Sequence, residues 1–322
     1  MTHYNIFCCL LWCEKEKKYF GFGMFKEILG YLGLESRMEY PGKSLSRKTI
    51  LVGSGVLFLI LTALARFHVG SGDYAIVEAL NTLANRSYII DAFLYWFTSD
   101  GVTVAVVVAV LFGLWFAYPS RTDRSIILYG LVFSMLVGTL SRLAQLAVRG
   151  HVRLLHDADV HVVLPLPVDP TSLTGWGSFP SDHAALLAGL VLSVWLISRR
   201  IGLVLIGFAV LVNLCRIYFC IHYPTDVLAG SALGVFVVEL GLPLIRSYPV
   251  QATLDFEQRR PGVFYGLFFY GSFSVASMLL SVRDEAQTIK HAIKATLHIP
   301  RHHYGEMGGK NGGCEGVVSG ER

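Results

Sequence analysis

The stretch Arg-Ile-Tyr-Phe-Cys-Ile-His-Tyr-Pro-Thr-Asp, residues 216–226, closes one long apolar run of the chain and leads into the next. It places three ionisable side chains, Arg216, His222 and Asp226, where the surrounding sequence is apolar. Ionisable groups at the edge of a membrane-depth segment are costly, and they indicate a functional site. The stretch therefore predicts a membrane-embedded helical fold with a site where two of its helices meet.

The composition of the whole chain also indicates a membrane protein. Of its 322 residues, 53% are hydrophobic and 16% are charged, whereas about a quarter of the residues of a soluble protein are charged. The charged residues are grouped between apolar runs, and the small net charge of +4 gives no basis for nucleic-acid binding. The six cysteines form neither a disulfide framework nor a convincing set of metal ligands.

Apolar runs of about 18 residues are long enough to cross a hydrocarbon core of about 30 Å. We predict an all-α, polytopic membrane bundle with six core transmembrane helices, at residues 50–67, 101–118, 125–148, 183–198, 201–217 and 227–245, and a candidate seventh at residues 263–280. The segments 74–83 and 89–97 are too short or too polar to span, and we predict interfacial helices there.

The loops between the predicted spans determine an orientation. Residues 1–48 share one side with the loops that carry Arg121, Arg124, Arg199, Arg200, Arg246, Arg259 and Arg260. The positive-inside rule makes this side cytoplasmic. The loop 149–181 and the turn at residues 222–226 then lie on the opposite side. We therefore expect a cytoplasmic N-terminus and a site that faces the outer, or periplasmic, side of a cytoplasmic (inner) membrane.

Composition divides the chain into four segments. Residues 1–48 are predicted to be a cytoplasmic extension with a candidate amphipathic segment at residues 20–34, and residues 49–247 a membrane-embedded domain. Residues 248–282 are predicted to be a polar linker with the candidate seventh span. Residues 283–322 form a polar, glycine-rich tail, which we predict to be partly disordered.

His222 and Asp226 are separated by three residues, one of which is Pro224. A carboxylate that binds one ring nitrogen of a histidine leaves the other nitrogen directed as a nucleophile. The proline ends the helix and lets the Asp226 side chain fold back toward the ring. The structural alternative is that Asp226 is the N-cap of the following helix, and both roles can coexist.

Three arginines are predicted to converge on the same membrane face: Arg142, Arg149 and Arg216. Arg142 and Arg149 are seven residues apart, so they share a helix face if the helix continues that far. A guanidinium matches phosphate oxygens bidentately, and several together can hold a dianion and stabilise a phosphoryl transition state. Considered singly, Arg216 also fits a side chain that extends to the headgroup layer, and Arg149 a headgroup contact.

Residues 178–183, Ser-Phe-Pro-Ser-Asp-His, open the fourth predicted span. Ser181 is placed to cap this helix and to present its hydroxyl and free backbone N–H groups to an anion. His183 would then be a general acid for a leaving oxygen. Asp182 is the alternative cap. A hydrolase triad with Ser181 as the nucleophile is disfavoured because no nucleophile elbow surrounds it.

The long loop 149–181 holds His151, His156 and His161, with Asp157 and Asp159 between them. Their five-residue spacing matches neither a helix face nor a strand face. We therefore predict solvated loop residues, and a weak divalent-ion site is the alternative.

These residues resemble the three motifs of the type 2 phosphatidic acid phosphatase superfamily, a lipid phosphatase fold shared with vanadium haloperoxidases. The family pattern is Lys-x6-Arg-Pro, Pro-Ser-Gly-His and Ser-Arg-x5-His-x3-Asp. The corresponding residues here are Arg142-x6-Arg149-Gly150, Pro180-Ser181-Asp182-His183 and Cys215-Arg216-x5-His222-x3-Asp226. The resemblance covers roughly residues 50–245 and implies the same helical core.

The chain departs from the family pattern at four positions. Arg142 stands for lysine and preserves its charge, and Gly150 stands for proline and loosens the turn before it. Cys215 stands for serine and removes a hydroxyl. Asp182 stands for glycine, and the resulting Phe-Pro-Ser-Asp-His form resembles the branch that contains bacterial undecaprenyl-diphosphate phosphatases. Because a carboxylate near phosphate is unfavourable, we expect Asp182 to point away from it, as a cap or as the partner of an arginine.

The resemblance implies a metal-independent phosphatase that uses no cofactor. His222 would attack phosphorus and form a phosphohistidine, with its ring oriented by Asp226. His183 would protonate the leaving group and then activate water. The implied phosphate-binding residues are Arg142, Arg149, Ser181 and Arg216.

The substrate implied by the Asp182 variant is undecaprenyl or another polyprenyl diphosphate. Phosphatidate, phosphatidylglycerophosphate and lipid A are alternative substrates of the same site, and phosphotransfer is an alternative reaction. A different class is also open, namely a transporter or structural membrane protein that binds anionic lipid.

Overall fold

The helices of the protein follow the apolar runs of the sequence. The computed structural model describes residues 44–67, 71–147, 151–157, 160–171 and 177–277, together with Gly30. Most of the predicted extension 1–48, its candidate amphipathic segment 20–34, the tail 283–322, and Arg149 with Gly150 lie outside these residues. Every regular element in the described part of the chain is helical, which confirms the all-α class.

The described helices differ in length and are joined mostly by short turns. In chain order they are α1 (Ser44–Phe67), α2 (Ser71–Asn81), α3 (Tyr88–Phe97), α4 (Asp100–Ala117), α5 (Arg121–Ala147), α6 (Asp182–Ile197), α7 (Arg199–Tyr218), α8 (Pro224–Gly241), α9 (Tyr248–Arg259) and α10 (Pro261–Ala276), with short 3-10 helices at Leu154–His156 and Leu242–Arg246. The segment 248–282, predicted to be a polar linker with a candidate span, thus contains α9 and α10.

In the part of the chain that the structure describes, four helices are long and apolar enough to cross a membrane: Arg47–Ala65, Arg121–Gln145, Arg199–Tyr218 and Pro224–Arg246. Helices α3 and α4 meet the same criteria only as a pair, bent by 47°, and would form a fifth span. Helix α6 is apolar but has 16 residues, which extend over about 24 Å. The described residues thus support a multi-pass membrane protein, but they confirm neither the predicted six spans nor the candidate seventh.

Helix α6 lies at the centre of the bundle. It packs against α5, α7 and α8, and also against α4. Its buried residues extend from its first turn to its last. A helix surrounded by other helices has no face that must be polar, which explains why the sequence of α6 is apolar all round. The N-terminal end of this central helix carries Ser181, Asp182 and His183.

The backbone of α8 approaches α6 closely at Gly230 and Gly234. A Cβ atom on Gly230 would lie 2.2 Å from the carbonyl oxygen of Ser181. One on Gly234 would lie 2.3 Å from the carbonyl oxygen of Ala185. Small residues four apart let two helix backbones come together within a membrane. This contact brings the start of α8, which carries Asp226, against the start of α6.

Candidate active site

The turn between α7 and α8 holds the central histidine of the site. After the end of α7, Cys220 takes a positive φ of 57°, a left-handed conformation that terminates helices. The backbone N–H of Ile221 donates to the carbonyl of Arg216 at 3.0 Å, which closes the turn. Pro224 then takes one of the first positions of α8, where its fixed φ and missing N–H are tolerated. His222 is thereby held between two helix ends.

His222 is buried, with 1% of its side chain exposed. Its Nδ1 lies 3.0 Å from the backbone carbonyl oxygen of Ser178. Since a carbonyl can only accept, Nδ1 carries the hydrogen and Nε2 the lone pair. Burial lowers the pKa of His222 to about 4, because the opposing effect of Asp226 is too small to compensate and Arg153 lowers the pKa further. A neutral imidazole with a directed lone pair is suited to nucleophilic attack.

Asp226 lies within the first turn of α8, in a capping box with Tyr223, so the alternative that it is itself the N-cap is wrong. Its Oδ2 accepts from the backbone N–H of Tyr223 at 2.9 Å and from the hydroxyl of Ser178. Its Oδ1 accepts from Nε2 of His151 at 2.9 Å. The distance from Oδ2 to Nδ1 of His222 is 3.7 Å, longer than a hydrogen bond. Asp226 therefore acts on His222 through its charge, and the Ser178 carbonyl orients the ring.

The start of α6 contributes Ser181, Asp182 and His183. Ser181 is the N-cap of the helix, as predicted, and its hydroxyl accepts from the N–H of Ala184 at 3.4 Å. Its own N–H donates to the backbone carbonyl of Asp226 at 3.0 Å, which joins the starts of α6 and α8. Nδ1 of His183 lies 3.1 Å from Oδ1 of Asp182. This contact places the hydrogen on Nδ1 of His183 and leaves its Nε2 to exchange a proton.

Asp182 is also paired with Arg142, with 3.3 Å between Oδ2 and Nη1. The same Nη1 donates to Oε1 of Gln145 at 3.0 Å. Nε2 of Gln145 in turn donates to the carbonyl of Pro180 at 2.8 Å. The charge of Asp182 is thus shared between an arginine and a histidine, as expected for a carboxylate that must not repel a bound anion.

Arg153 lies beside His222, although the motif spacing did not single it out. It is 1% exposed, and its Nη1 donates to the carbonyl of Ile221 at 3.2 Å and lies 3.4 Å from Nε2 of His222. Its Nη2 lies 3.5 Å from Oε1 of Gln145. Its Nε has no hydrogen-bond partner among the described residues. Burial lowers the pKa of Arg153 to about 10, so the side chain remains cationic at neutral pH.

The structure describes two of the three arginines that the sequence predicts to bind phosphate. Arg216 is buried in the last turn of α7, and Arg142 is half-buried. The charges of both act on Arg153, where they favour the neutral form. Arg149 lies outside the described residues. Three like charges repel one another, and an anion among them would relieve that repulsion.

His151 differs from the prediction of a solvated loop residue. Its side chain is 5% exposed, packs edge-on against the rings of Phe179 and Tyr223, and donates to Asp226. His156 is half-buried and His161 is exposed. Within the ranges that the structure describes, no three His, Cys, Asp or Glu side chains are grouped so that they could hold a metal ion.

The arrangement combines three chemical functions. The imidazole of His222 is neutral and presents a lone pair, which suits attack on an electrophile. The imidazole of His183 is hydrogen-bonded to the carboxylate of Asp182 and is only partly buried, which suits proton transfer. The arginines concentrate positive charge in a largely buried region, where it acts on an anion more strongly than it would in water.

Comparison with known families agrees with this arrangement. Residues 160–246 match the sequence model of the PAP2 superfamily. The matched residues contain the second and third motifs, with Ser181, His183, Arg216, His222 and Asp226. Three further arginines, Arg142, Arg149 and Arg153, precede the matched residues.

Two relatives and one solved structure resemble the chain. Undecaprenyl-diphosphatase BcrC of Bacillus subtilis (strain 168) is 22% identical over 167 residues, which are 51% of this chain and 80% of that protein. Bacitracin transport permease protein BcrC of Bacillus licheniformis is 40% identical over 58 residues, which are 18% of this chain and 29% of that protein. The crystal structure of the first transmembrane PAP2 type phosphatidylglycerolphosphate phosphatase from Bacillus subtilis aligns with a TM-score of 0.44 and 20% identity, over 62% of this chain and 98% of that chain.

Proposed function

We propose that the protein is a membrane phosphatase that hydrolyses a lipid phosphate or diphosphate, with His222 as the nucleophile. The observation that carries the proposal is the 3.4 Å distance between Nε2 of His222 and Nη1 of Arg153. The first atom presents a lone pair, and the buried guanidinium has an unused Nε–H. A phosphoryl group would use both, because its phosphorus accepts a lone pair and its oxygens accept N–H bonds.

In the first step, Nε2 of His222 forms a bond to phosphorus while the bond from phosphorus to the leaving oxygen breaks. Nδ1–H of His222 remains hydrogen-bonded to the Ser178 carbonyl, and Asp226 stabilises the positive charge that develops on the ring. His183 gives its Nε2 proton to the leaving oxygen. The step ends with a phosphohistidine and the released alcohol or lipid phosphate.

In the second step, water attacks the phosphorus of the phosphohistidine. His183 takes a proton from this water, and the phosphorus–nitrogen bond breaks, which restores the neutral His222. Inorganic phosphate leaves the site. Both steps use the same two histidines, so the loss of either one should stop turnover.

The phosphoryl oxygens are proposed to be held by arginines and by the start of α6. The residues in this role are Arg142, Arg149, Arg153, Arg216 and Ser181. Guanidinium groups supply the positive charge that many phosphatases take from metal ions, because a phosphoryl transition state spreads its charge over three equatorial oxygens. On this ground we propose that the reaction is metal-independent.

For the substrate we propose a polyprenyl diphosphate such as undecaprenyl diphosphate. The proposal is supported by the similarity to undecaprenyl-diphosphatase BcrC and by the aspartate at position 182. Phosphatidate, phosphatidylglycerophosphate, lipid A and phosphotransfer to a second lipid are alternatives that use the same site. We further propose that the site faces the outer side of the cytoplasmic membrane, on the distribution of arginine and lysine between the loops.

The experiment is a substrate panel with purified protein in lipid vesicles. Each lipid is supplied at one surface concentration, and released phosphate and lipid products are measured. Polyprenyl diphosphate should give the fastest phosphate release, and His222→Asn and His183→Asn should abolish it. The matched control is His161→Asn, because His161 is an exposed histidine of the loop that precedes α6.

Other results of the substrate panel would support a different substrate, reaction or class of protein. Phosphate release from phosphatidate alone would overturn the diphosphate proposal, and transfer to a lipid acceptor would replace hydrolysis by phosphotransfer. Turnover that persists in His222→Asn would overturn the nucleophile. Anionic-lipid binding without turnover of any lipid would favour a binding or transport protein.

A further inference from the structure

Asp226 lies between two histidines, and only one of them is in hydrogen-bond contact with it. Oδ1 accepts from Nε2 of His151 at 2.9 Å, whereas Oδ2 is 3.7 Å from Nδ1 of His222. All three side chains are buried. One carboxylate stabilises one imidazolium well, and a second imidazolium close by is opposed by like-charge repulsion. The geometry thus raises the question of which ring takes the proton.

We propose that His151 is the protonated partner of Asp226 and that it thereby keeps His222 neutral as the nucleophile. The inference rests on the proposed function, because it concerns the histidine that would carry the phosphoryl group. In this role His151 is a positioning residue. It acts on the chemistry through Asp226 and has no contact with His222 in the structure.

The surroundings of His151 favour a cation. Asp226 of α8 is in contact with the ring, and the carboxylate of Asp73 in α2 adds a second negative charge. The backbone of Ala65 in α1 forms a further hydrogen bond with the ring, and the uncharged rings of Phe179 and Tyr223 pack against it. Burial alone lowers the pKa of His151, but the hydrogen bond to Asp226 and the two negative charges outweigh it, and its pKa lies above the usual value.

The surroundings of His222 oppose a cation. A hydrogen on its Nε2 would face Nη1 of Arg153 at 3.4 Å, so two donors and two positive charges would be opposed. Its Nδ1–H is already bonded to the neutral carbonyl of Ser178. Asp226, the negative group nearest to Nδ1, also accepts from His151. A proton that enters this cluster is therefore better placed on His151.

The consequence concerns how the activity depends on pH. As the pH falls, His151 takes up the proton and Asp226 becomes its counter-ion, while His222 retains its lone pair. Without His151, the whole charge of Asp226 acts on His222. Protonation of His222 then becomes easier, and the nucleophile is lost at a higher pH.

The experiment compares His151→Gln with the wild-type protein and with His161→Gln. Glutamine keeps an N–H donor for Asp226 but cannot take a proton. The acidic limb of kcat/KM should move to higher pH by about one pH unit in His151→Gln, which is the size of the effect of one nearby charge. The maximum of kcat/KM should stay within a few-fold of wild type, and His161→Gln should not change the profile. An unchanged limb, or one that moves to lower pH, would overturn the inference.

A second measurement does not depend on turnover, and its titrations are made on the wild-type protein. Nuclear magnetic resonance of the wild-type protein with labelled histidines gives the titration of each ring, and His222→Asn identifies the His222 signal. His151 should titrate above about pH 6.5, the usual value, and His222 well below it. The reverse order would refute the inference. If no lipid is hydrolysed, the proposed function fails, and the titration order still decides the role of His151.

Discussion

Nη1 of Arg153 lies 3.4 Å from Nε2 of His222 inside the protein. Each group is 1% exposed, and the guanidinium lies on the side of the ring that carries the lone pair. A buried cation next to a nucleophile is unfavourable unless a bound anion uses both. The pair therefore defines where the phosphoryl group should sit, and it makes Arg153 as informative a target for mutation as His222.

Arg153→Gln should lower kcat/KM by about two orders of magnitude or more, because the variant loses a buried donor that would meet charge developing on the phosphoryl oxygens. Initial rates of phosphate release over a range of lipid concentrations measure this loss. Arg86→Gln is the control, since Arg86 is an exposed arginine in the turn between α2 and α3 and should leave kcat/KM unchanged. An Arg153→Gln variant with full activity would exclude Arg153 from the site.

Asp182→Asn should slow the reaction in a way that depends on the leaving group. The variant weakens the contact that orients His183, so a lipid with an alkoxide leaving group should lose about 10- to 100-fold in kcat. An aryl phosphate, whose leaving oxygen needs little help from a proton, should lose much less. Parallel kcat measurements with the two substrates test this.

Asp169→Asn is the control for Asp182→Asn, because Asp169 is exposed in the loop before α6. It should leave both substrates unaffected. Equal losses with both substrates in Asp182→Asn would mean that Asp182 supports folding or binding and does not act through His183.

The pH profile of the wild-type enzyme should have its acidic limb well below neutrality. Burial lowers the pKa of His222 to about 4, and the proposed attack requires the neutral ring, so kcat/KM should rise with pH through this value. A histidine with the usual pKa of about 6.5 would place the limb there. Measurements of kcat/KM from about pH 3.5 to about pH 8 at constant ionic strength separate the two cases.

Removal of divalent cations should not affect the rate, because the proposed phosphate contacts are guanidinium, hydroxyl and backbone N–H groups. Protein treated with excess chelator and then freed of it should keep its full kcat and KM. Phosphate release is the measurement, and a chelator-sensitive metallophosphatase in parallel shows that the treatment works. Loss of activity that returns when magnesium or zinc is added would contradict metal independence.

Gly230→Ala should destabilise the bundle, since the new Cβ would meet the Ser181 carbonyl oxygen at 2.2 Å. Overpacking of this kind costs about 1–3 kcal/mol, and the displaced Ser181 should reduce activity as well. Gly207→Ala in α7 is the matched control because nothing lies within 4 Å of its added Cβ. Thermal unfolding in detergent should show a lower midpoint for Gly230→Ala and an equal or higher one for Gly207→Ala.

Much of the site follows from local sequence. The residues of the second and third motifs lie at fixed positions relative to a helix start or a helix end, so their spacing predicts which side chains come together. Ser181 caps α6, and His222 occupies the turn before α8, as the sequence predicts. The direct bond between Asp226 and His222 does not form, because His151 and Ser178 are held against the same carboxylate.

Arg153 and His151 could not be predicted from spacing. Both belong to an irregular segment after α5, where side-chain direction has no period. Their contacts include residues distant in sequence, namely Ile221, His222 and Asp226. The one local signal is the apolar pair that follows Arg153, Leu154 and Leu155, which packs into the core around the α7–α8 turn. A related reason explains why six spans were not confirmed. Helix α6 is apolar because other helices surround it, but its 16 residues make it shorter than the four helices that could cross a membrane.

The backbone hydrogen bond from Ser181 to Asp226 has a consequence for how the protein tolerates its surroundings. At 3.0 Å, and beside the close approach of the two helices at Gly230, this bond joins the start of α6, which carries His183, to the start of α8, which directly follows His222. We expect a thicker or thinner bilayer that tilts α6 and α8 to displace their far ends more than it changes the separation of His183 and His222. We therefore expect bilayer thickness to affect the rate at which a lipid reaches the site more than it affects the chemical steps.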